Sequence, residues 1–433
     1  MKNRVLALMV GLCAAVGVTS CGGSKSTSKV SGLPERVLAS QGVTTNIVFG
    51  GLVIVNGTND TIARIAPISA GTTPGMMAIS PSRNIVAAFD ASSNSVFAVN
   101  TTTETDIGSN GVRLPGPTSS FIVPTSSQIG YAAVPSAAVN GFAYVGAIAQ
   151  MNFAAGLFTT IAVNNAQTVV SNATGTQLLV FSADSDSMTV LNPLAAVPPV
   201  DTSCFYTPNG VCTIIPGFDR PVYAVINNNT AYVLNCGPQC GGKQASVMFF
   251  DLPSLTITNT IPVDAATFAV LNNSKLYVAG TSPTNHSCAG QQTAATSCGR
   301  LDIVDVNAGK VVGTAVITDG YHTRMDYNVY NQLYIGSHDC TNIGNVNNPS
   351  GEVRGCLTIF NAANGSVLVP PDNGNVDGLQ GFTSRTIEYV AQDGNLRVYD
   401  TTTNQLLINS DFLPTGTIDI VGYVGDVKAI DFF

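Results

Sequence analysis

A hairpin pattern recurs along this chain of 433 residues and constrains its fold more than any other feature. The last copy has two runs of alternating apolar residues, 387–390 and 396–399, on either side of Asp393 and Gly394. Two such runs joined by Asp-Gly give the strongest short-range signal for a β-hairpin. Asp400 and a run of threonines then end the second strand. The pattern predicts a fold assembled from hairpins.

Eight copies of this hairpin can be found, and in every copy the second strand ends in Asn or Asp. A short side-chain acceptor can bond the backbone two residues further on, which starts a turn. The strand ends are Asn56, Asn100, Asn152, Asn192, Asp251, Asp305, Asn361 and Asp400. The matching first-strand positions are Val37, Ile85, Tyr131, Leu179, Tyr232, Tyr277, Tyr334 and Tyr389, spaced 45 to 57 residues apart.

The spacing of the copies predicts an all-β fold, a β-propeller of four-stranded blades. Repeats of roughly 40 to 50 residues with several strands each are typical of propeller blades. The repeat count gives eight blades. Seven is the alternative, because several copies have long insertions between the second and third strands and the third copy has Gln150 at a normally apolar position. A tandem array of immunoglobulin-like domains is a further alternative, but the units are short for that fold.

The two ends of the chain predict how the ring closes. The first copy has no innermost strand before Val37, and the last copy is followed by one extra apolar segment, residues 426–430. This C-terminal strand is expected to join the N-terminal blade, because pairing would cover the sheet edge that each end otherwise exposes.

The repeat units resemble the YVTN-type repeats of YncE-like and surface-layer propellers. The segments that carry the resemblance are Lys-Leu-Tyr-Val-Ala at 275–279 and Leu-Asp-Ile-Val-Asp at 301–305. The resemblance covers nearly the whole chain after the N-terminal segment. It implies a blade rather than an activity, although some similar propellers are lactonases.

The N-terminal sequence predicts that the protein is located in the cell envelope. Lys2 and Arg4 precede an apolar run of fourteen residues, which is too short for a membrane span and typical of a secretory signal. Residues 18–21, Val-Thr-Ser-Cys, resemble a bacterial lipobox, with Cys21 as the lipid site; an ordinary signal with an incidental Cys is the alternative. The expected organisation is a signal peptide at 1–20, a flexible tether at 21–34 and a propeller at 35–433. Gly22 favours the outer membrane by resemblance to proteobacterial sorting.

Eight of the ten cysteines fall into four neighbouring pairs in the predicted mature chain. They are Cys204/Cys212, Cys236/Cys240, Cys288/Cys298 and Cys340/Cys356. Eight cysteines allow 105 connectivities, but pairing within each loop is favoured because the compartment is oxidising. The last three pairs lie in connections between the second and third strands of consecutive blades. They therefore predict a stiffened rim on one face, with Cys204/Cys212 on the opposite face.

The candidate binding residues lie where each blade joins the next: Asp219, Arg220, Asp319, Tyr321, His322 and Arg324. In one interpretation His322 is a general base oriented by Asp319, and Arg324 holds an anion. In the other, which the composition favours, these residues tie neighbouring blades together. His338, the next histidine along the chain, is expected to be solvated.

These observations favour a non-catalytic binding or scaffold module that presents its stiffened face to an envelope protein, a peptide or a glycan. The alternative is a lactonase-type hydrolase that uses Asp, His and Arg at the channel mouth. The chain has three His and none of the common hydrolase or nucleotide-binding motifs. No catalytic residue, metal site or cofactor is predicted. A formal charge of −8 also excludes a basic nucleic-acid footprint.

Overall fold

The computed structural model describes residues 30–43, 50–140, 143–192, 202–203, 212–283, 298–341, 343–344, 353–370, 374–382, 385–402, 405–408, 418 and 420–431. Over these residues the protein is all β apart from one 3₁₀ turn, Gly237–Cys240. Its strands form eight successive four-stranded sheets in a ring, so the predicted propeller and the count of eight blades are confirmed. No helix in the described ranges is long and apolar enough to cross a membrane.

In each blade the strands run from A, next to the axis, to D at the outside. In chain order the strands are β1 (Arg36–Gln41), β2 (Gly51–Asn56), β3 (Thr61–Ile62), β4 (Pro74–Ile79), β5 (Ile85–Asp90), β6 (Ser95–Asn100), β7 (Thr105–Arg113), β8 (Ser120–Ile122), β9 (Ile129–Ala138), β10 (Val145–Asn152), β11 (Leu157–Ala162), β12 (Ala166–Ser171), β13 (Leu178–Ser182), β14 (Ser187–Leu191), β15 (Thr202–Ser203), β16 (Cys212–Pro216), β17 (Pro221–Asn227), β18 (Thr230–Asn235), β19 (Ser246–Asp251), β20 (Thr256–Pro262), β21 (Phe268–Asn272), β22 (Lys275–Ser282), β23 (Cys298–Asp305), β24 (Lys310–Ile317), β25 (Tyr321–Tyr327), β26 (Gln332–His338), β27 (Ile343–Gly344), β28 (Val353–Arg354), β29 (Leu357–Asn361), β30 (Val367–Leu368), β31 (Val376–Phe382), β32 (Ile387–Gln392), β33 (Asn395–Asp400), β34 (Gln405–Ile408) and β35 (Val427–Ala429). From A to D, blade 1 is β35, β1, β2 and β3; blade 2 is β4 to β7; blade 3 is β8 to β11; blade 4 is β12, β13, β14 and β16; blade 5 is β17 to β20; blade 6 is β21 to β24; blade 7 is β25, β26, β29 and β30; and blade 8 is β31 to β34.

The recurring Asn or Asp acts as its chemistry predicts. The side chain of Asn100 accepts a hydrogen bond from the amide of Thr102 at 2.9 Å, and Asp400 accepts one from Thr402 at 2.8 Å. These bonds start the turn from strand C to strand D. The Asp393–Gly394 loop has positive φ at both residues, as a two-residue hairpin turn requires.

The hydrophobic core is divided among the seams between neighbouring blades. One cluster joins blades 2 and 3 through residues such as Phe89 and Phe121, and another joins blades 4 and 5 through Phe181 and Phe250. Because each sheet packs against a neighbour on both sides, both faces of the B and C strands are buried.

The ring closes as predicted. Strand β35 pairs antiparallel with β1, with Val37 opposite Ala429 and Ala39 opposite Val427. The guanidinium of Arg36 binds Asp431 at 2.7 and 2.9 Å, which ties the C-terminal segment to blade 1. Between blades 8 and 1, Arg385 of blade 8 forms a bidentate pair with Asp60 of blade 1, both bonds at 2.7 Å.

One connection departs from the simple repeat. The insertion between strands C and D of blade 4 contributes β15, which pairs in parallel with the outer strand of blade 3 at Ile161 and Ala162. This fifth strand was not predicted, and it places part of the insertion along the neighbouring blade.

Candidate functional site

The innermost strands enclose a cavity of about 780 Å³ on the ring axis. Seven blades contribute to its lining through their A strands, with Met76, Ser120, Gln167, Tyr223, Phe268, Arg324 and Lys428 among the residues. Arg220, Cys240 and Tyr321 also line the cavity. These three lie where D to A junctions and B to C loops meet, so the cavity lies at the face predicted to carry the stapled loops.

The predicted disulfides Cys236–Cys240 and Cys340–Cys356 are confirmed. Cys212 and Cys298 are also disulfide-bonded, but their predicted partners, Cys204 and Cys288, lie outside the described residues.

Each of the two stapled loops is fixed to the next blade. Gln239, inside the first loop, accepts a hydrogen bond from the amide of Thr281 in blade 6 at 2.8 Å. Asp339, next to the second staple, donates its amide to Asn375 at the start of blade 8 at 2.9 Å. The rim beside the cavity is therefore braced by covalent bonds and by contacts between blades.

Two of the six candidate binding residues hold these loops in place. The carboxylate of Asp219 accepts bonds from the amides of Lys243, at 2.9 and 3.0 Å, and Gln244, at 2.6 Å. Asp319 accepts the amide and the hydroxyl of Thr341 at 2.7 and 2.6 Å. Both carboxylates are occupied by loop contacts.

His322 is completely buried and bonded to the backbone. Its Nε2 lies 3.0 Å from the carbonyl oxygen of Thr318, so that nitrogen carries the proton of the neutral ring. Burial lowers the pKa of His322 to about 4. Because Asp319 is bonded to Thr341 and His322 to Thr318, the two side chains do not form an acid–base pair, and the ring is neutral near pH 7.

The other three candidates border the cavity. Arg220 lies 3.8 Å from the carboxylate of Asp186 in blade 4. Tyr321 is 42% exposed. Arg324 donates from Nε to the carbonyl of Asp377 in blade 8 at 2.8 Å, and from Nη1 to its own neighbour Thr323 at 3.0 Å. Arg220 and Arg324 thus link blades, as the structural interpretation expected, and also line the cavity.

Sequence reasoning missed the aromatic part of the wall. The rings of Tyr223 and Phe268, from the A strands of blades 5 and 6, stack with centroids 4.5 Å apart and planes 24° apart. Tyr223 is the third residue of β17 and Phe268 the first of β21, both shortly after a D to A junction, so aligning the A strands as well as the hairpins could have found them.

His338, which the sequence analysis expected to be solvated, is partly exposed and is also bound to blade 8. Its Nε2 lies 3.0 Å from the carbonyl of Val376 and 3.2 Å from Oδ1 of Asp377. Tyr423 donates its hydroxyl to the other oxygen of Asp377 at 2.8 Å. His338 therefore contacts blade 8 through these two residues, and the sequence gives no sign of this contact between blades.

No group of three or more His, Cys, Asp and Glu side chains in the described part of the chain is arranged to hold a metal ion.

Comparisons with known proteins support the fold. No protein-family model and no curated protein matches the chain. Among solved structures, the dihydro-heme d1 dehydrogenase NirN, in complex with DHE, is similar with a TM-score of 0.59 and 13% identity, over 92% of this chain and 75% of that one. A protein provisionally named a 6-phosphogluconolactonase, from Bacteroides uniformis, has a TM-score of 0.49 and 11% identity over 92% and 99%. At 13% identity the likeness to NirN concerns the fold alone.

Proposed function

We propose that the protein is a lipid-anchored binding module of the bacterial cell envelope, non-catalytic, and that its ligand occupies the channel cavity. The cavity carries this proposal: its volume of about 780 Å³ lies within the usual range of small-ligand sites, and its wall combines apolar, aromatic and a few polar side chains. Rigid loops on a fixed scaffold are where binding sites concentrate.

The ligand we propose is a small molecule, or the end of a peptide, glycan or protein chain from the envelope. A globular partner would contact the rim and insert only a segment. Anchoring through Cys21, with residues 22–34 as tether, would hold the module at the membrane; the outer membrane is the proposed location. Cys21 lies outside the described residues.

The alternative, a lactonase-type hydrolase, has less support from the geometry. His322 is enclosed and neutral, and the carboxylates of Asp219 and Asp319 are bonded to loop backbone. These three groups serve the structure, so none of them is free to act as the general base of such a hydrolase.

Blocking the cavity tests the proposal. The purified protein, a Gln167→Trp variant and a Gln128→Trp control are each incubated with the fraction of an envelope extract below about 3 kDa. Gln167 lines the cavity, whereas Gln128 is exposed away from it. Mass spectrometry of released compounds should show the same enriched species for the wild type and the control, and none for Gln167→Trp.

Equal enrichment by all three proteins would contradict binding in the cavity. A panel of lactones examined by pH-stat titration addresses the alternative: hydrolysis that disappears in Gln167→Trp would assign an enzyme.

A further inference from the structure

The charge of Arg324 is not balanced by an acid within the cavity wall. Its hydrogen bonds go to the carbonyls of Asp377 and Thr323, and it forms no ion pair with a described residue. A guanidinium has five N–H donors in a fixed plane and stays charged at any ordinary pH. The two carbonyls fix its position without neutralising it.

The other charged groups of the wall have partners or lie near the rim. Lys428 is bonded to Asp426 at 2.8 Å, and Arg220 lies near Asp186. The remaining charged residue of the lining, Asp184, belongs to the turn between strands B and C of blade 4. Arg324 is therefore the cation in the described wall that lacks a counter-charge, in a protein whose formal charge is −8.

An aromatic surface lies next to this cation. Tyr223 and Phe268 are stacked and only partly buried, and both line the cavity. The pair is close to Arg324 along the wall, because Thr267, the residue before Phe268, donates its hydroxyl to the carbonyl of His322, two residues before Arg324, at 3.1 Å. A cation beside a partly exposed ring pair can contact both the charged and the flat part of one ligand.

We infer that the ligand of the cavity is an organic anion, with its acidic group at Arg324 and a planar, apolar part against Tyr223 and Phe268. This inference rests on the proposed function, because it assumes that the cavity is a binding site. The recognised features are a carboxylate, sulfonate or phosphate group and a flat ring within one small molecule or chain end.

The test uses two probes with the same ring and opposite charge, pyrene-1-sulfonate and pyren-1-ylmethylammonium, titrated by fluorescence at 50 and 300 mM NaCl. The wild type should bind the sulfonate at least tenfold more tightly than the ammonium at low salt, and the preference should shrink at high salt because ions screen the contact. Arg324→Gln should lose the preference, whereas Arg324→Lys should retain part of it. The control Arg113→Gln, an exposed arginine outside the cavity, should behave as the wild type.

Tyr223→Leu should weaken both probes to the same extent, since it removes ring contact and leaves the charge. Equal binding of the two probes by the wild type, a preference that persists in Arg324→Gln, or no binding of either probe would overturn the inference. If both probes bind equally and Gln167→Trp blocks both, the cavity remains a binding site and only the anion inference fails. If neither probe binds and no compound is enriched from the extract, the proposed function fails as well.

Discussion

The most informative stability prediction concerns Glu388, which is completely buried in the seam between blades 7 and 8. Burial, followed by the neighbouring charge of Asp326 and a hydrogen bond to it, raises the pKa of Glu388 well above its usual range. Neither oxygen of Glu388 receives a hydrogen bond from an N–H or hydroxyl group in the described chain. When protonated, Glu388 can donate to Asp326, whose carboxylate also accepts the amide of Gly381 at 2.5 Å.

The pH dependence follows from proton linkage. Glu388 keeps its proton in the folded protein but loses it above about pH 4.3 in the unfolded chain. Its contribution to the free energy of unfolding is thus complete below that pH and is lost as the pH rises toward the folded pKa. In that window the slope approaches about 1.4 kcal/mol per pH unit. For a domain of about 400 residues this corresponds to roughly 2 °C in the unfolding midpoint per pH unit.

Glu388→Gln keeps a donor for Asp326 and removes the titration. We expect the midpoint of the variant to rise relative to the wild type between pH 5.5 and 8, as measured by scanning calorimetry. Glu104→Gln is the matched control: Glu104 is equally buried but paired with Arg36 at 2.8 Å, so its amide variant should be destabilised at pH 7. A constant difference between wild type and Glu388→Gln across this pH range would refute the shared proton.

Three further predictions concern the disulfide bonds, the strand that closes the ring and the lipid anchor. Replacing Cys340 and Cys356 by Ser should lower the free energy of unfolding by about 3 kcal/mol, and replacing Cys236 and Cys240 by about 2 kcal/mol, because loop-closure entropy grows with the length of the enclosed chain. Denaturant unfolding of the two double variants would measure both losses. A larger loss for Cys236 and Cys240 would contradict the entropic explanation. Val427→Asp should destabilise the ring by several kcal/mol because it buries an unpaired charge in strand β35, whereas Val421→Asp, at a position 53% exposed, should change stability by less than about 0.5 kcal/mol in calorimetry. Cys21→Ser should release the protein from the membrane fraction on cell fractionation, and continued membrane association would contradict the lipid anchor.

The sequence predicted the blade well because its signals are local. Asn or Asp at the end of strand C fixes a turn through its own side chain, as Asn100 and Asp400 show. Ring closure was also predictable, because the repeat array has one exposed sheet edge at each end and pairing the two edges covers both. The fifth strand of blade 3 was not predictable. Thr202–Ser203 pairs with a strand about 40 residues earlier in the chain, and its sequence has no recognisable strand pattern.

The buried acid was missed for a different reason. In the run from Ile387 to Val390, Glu388 occupies the position that alternation assigns to solvent on a sheet with one open face. In a propeller both faces of strand B meet a neighbouring blade, so the polar face is buried as well. Alternation there indicates which seam a side chain enters rather than whether it contacts water.

This distinction also explains why the candidate site was only partly predictable. Packing between blades constrains strands B and C most strongly, because they are covered on both sides, and their sequence pattern therefore recurs. The A strands border the axis, where side chains meet space rather than a repeated neighbour, so nothing requires Tyr223, Phe268 and Arg324 to resemble one another or their equivalents in other blades. In a fold of this kind, chemical specificity must lie in the positions at which the copies differ. Arg324, which has no ion-pair partner among the described residues and lies near a stacked aromatic pair, is such a departure. For that reason we propose that the ligand binds there rather than at the recurring carboxylates of the turns.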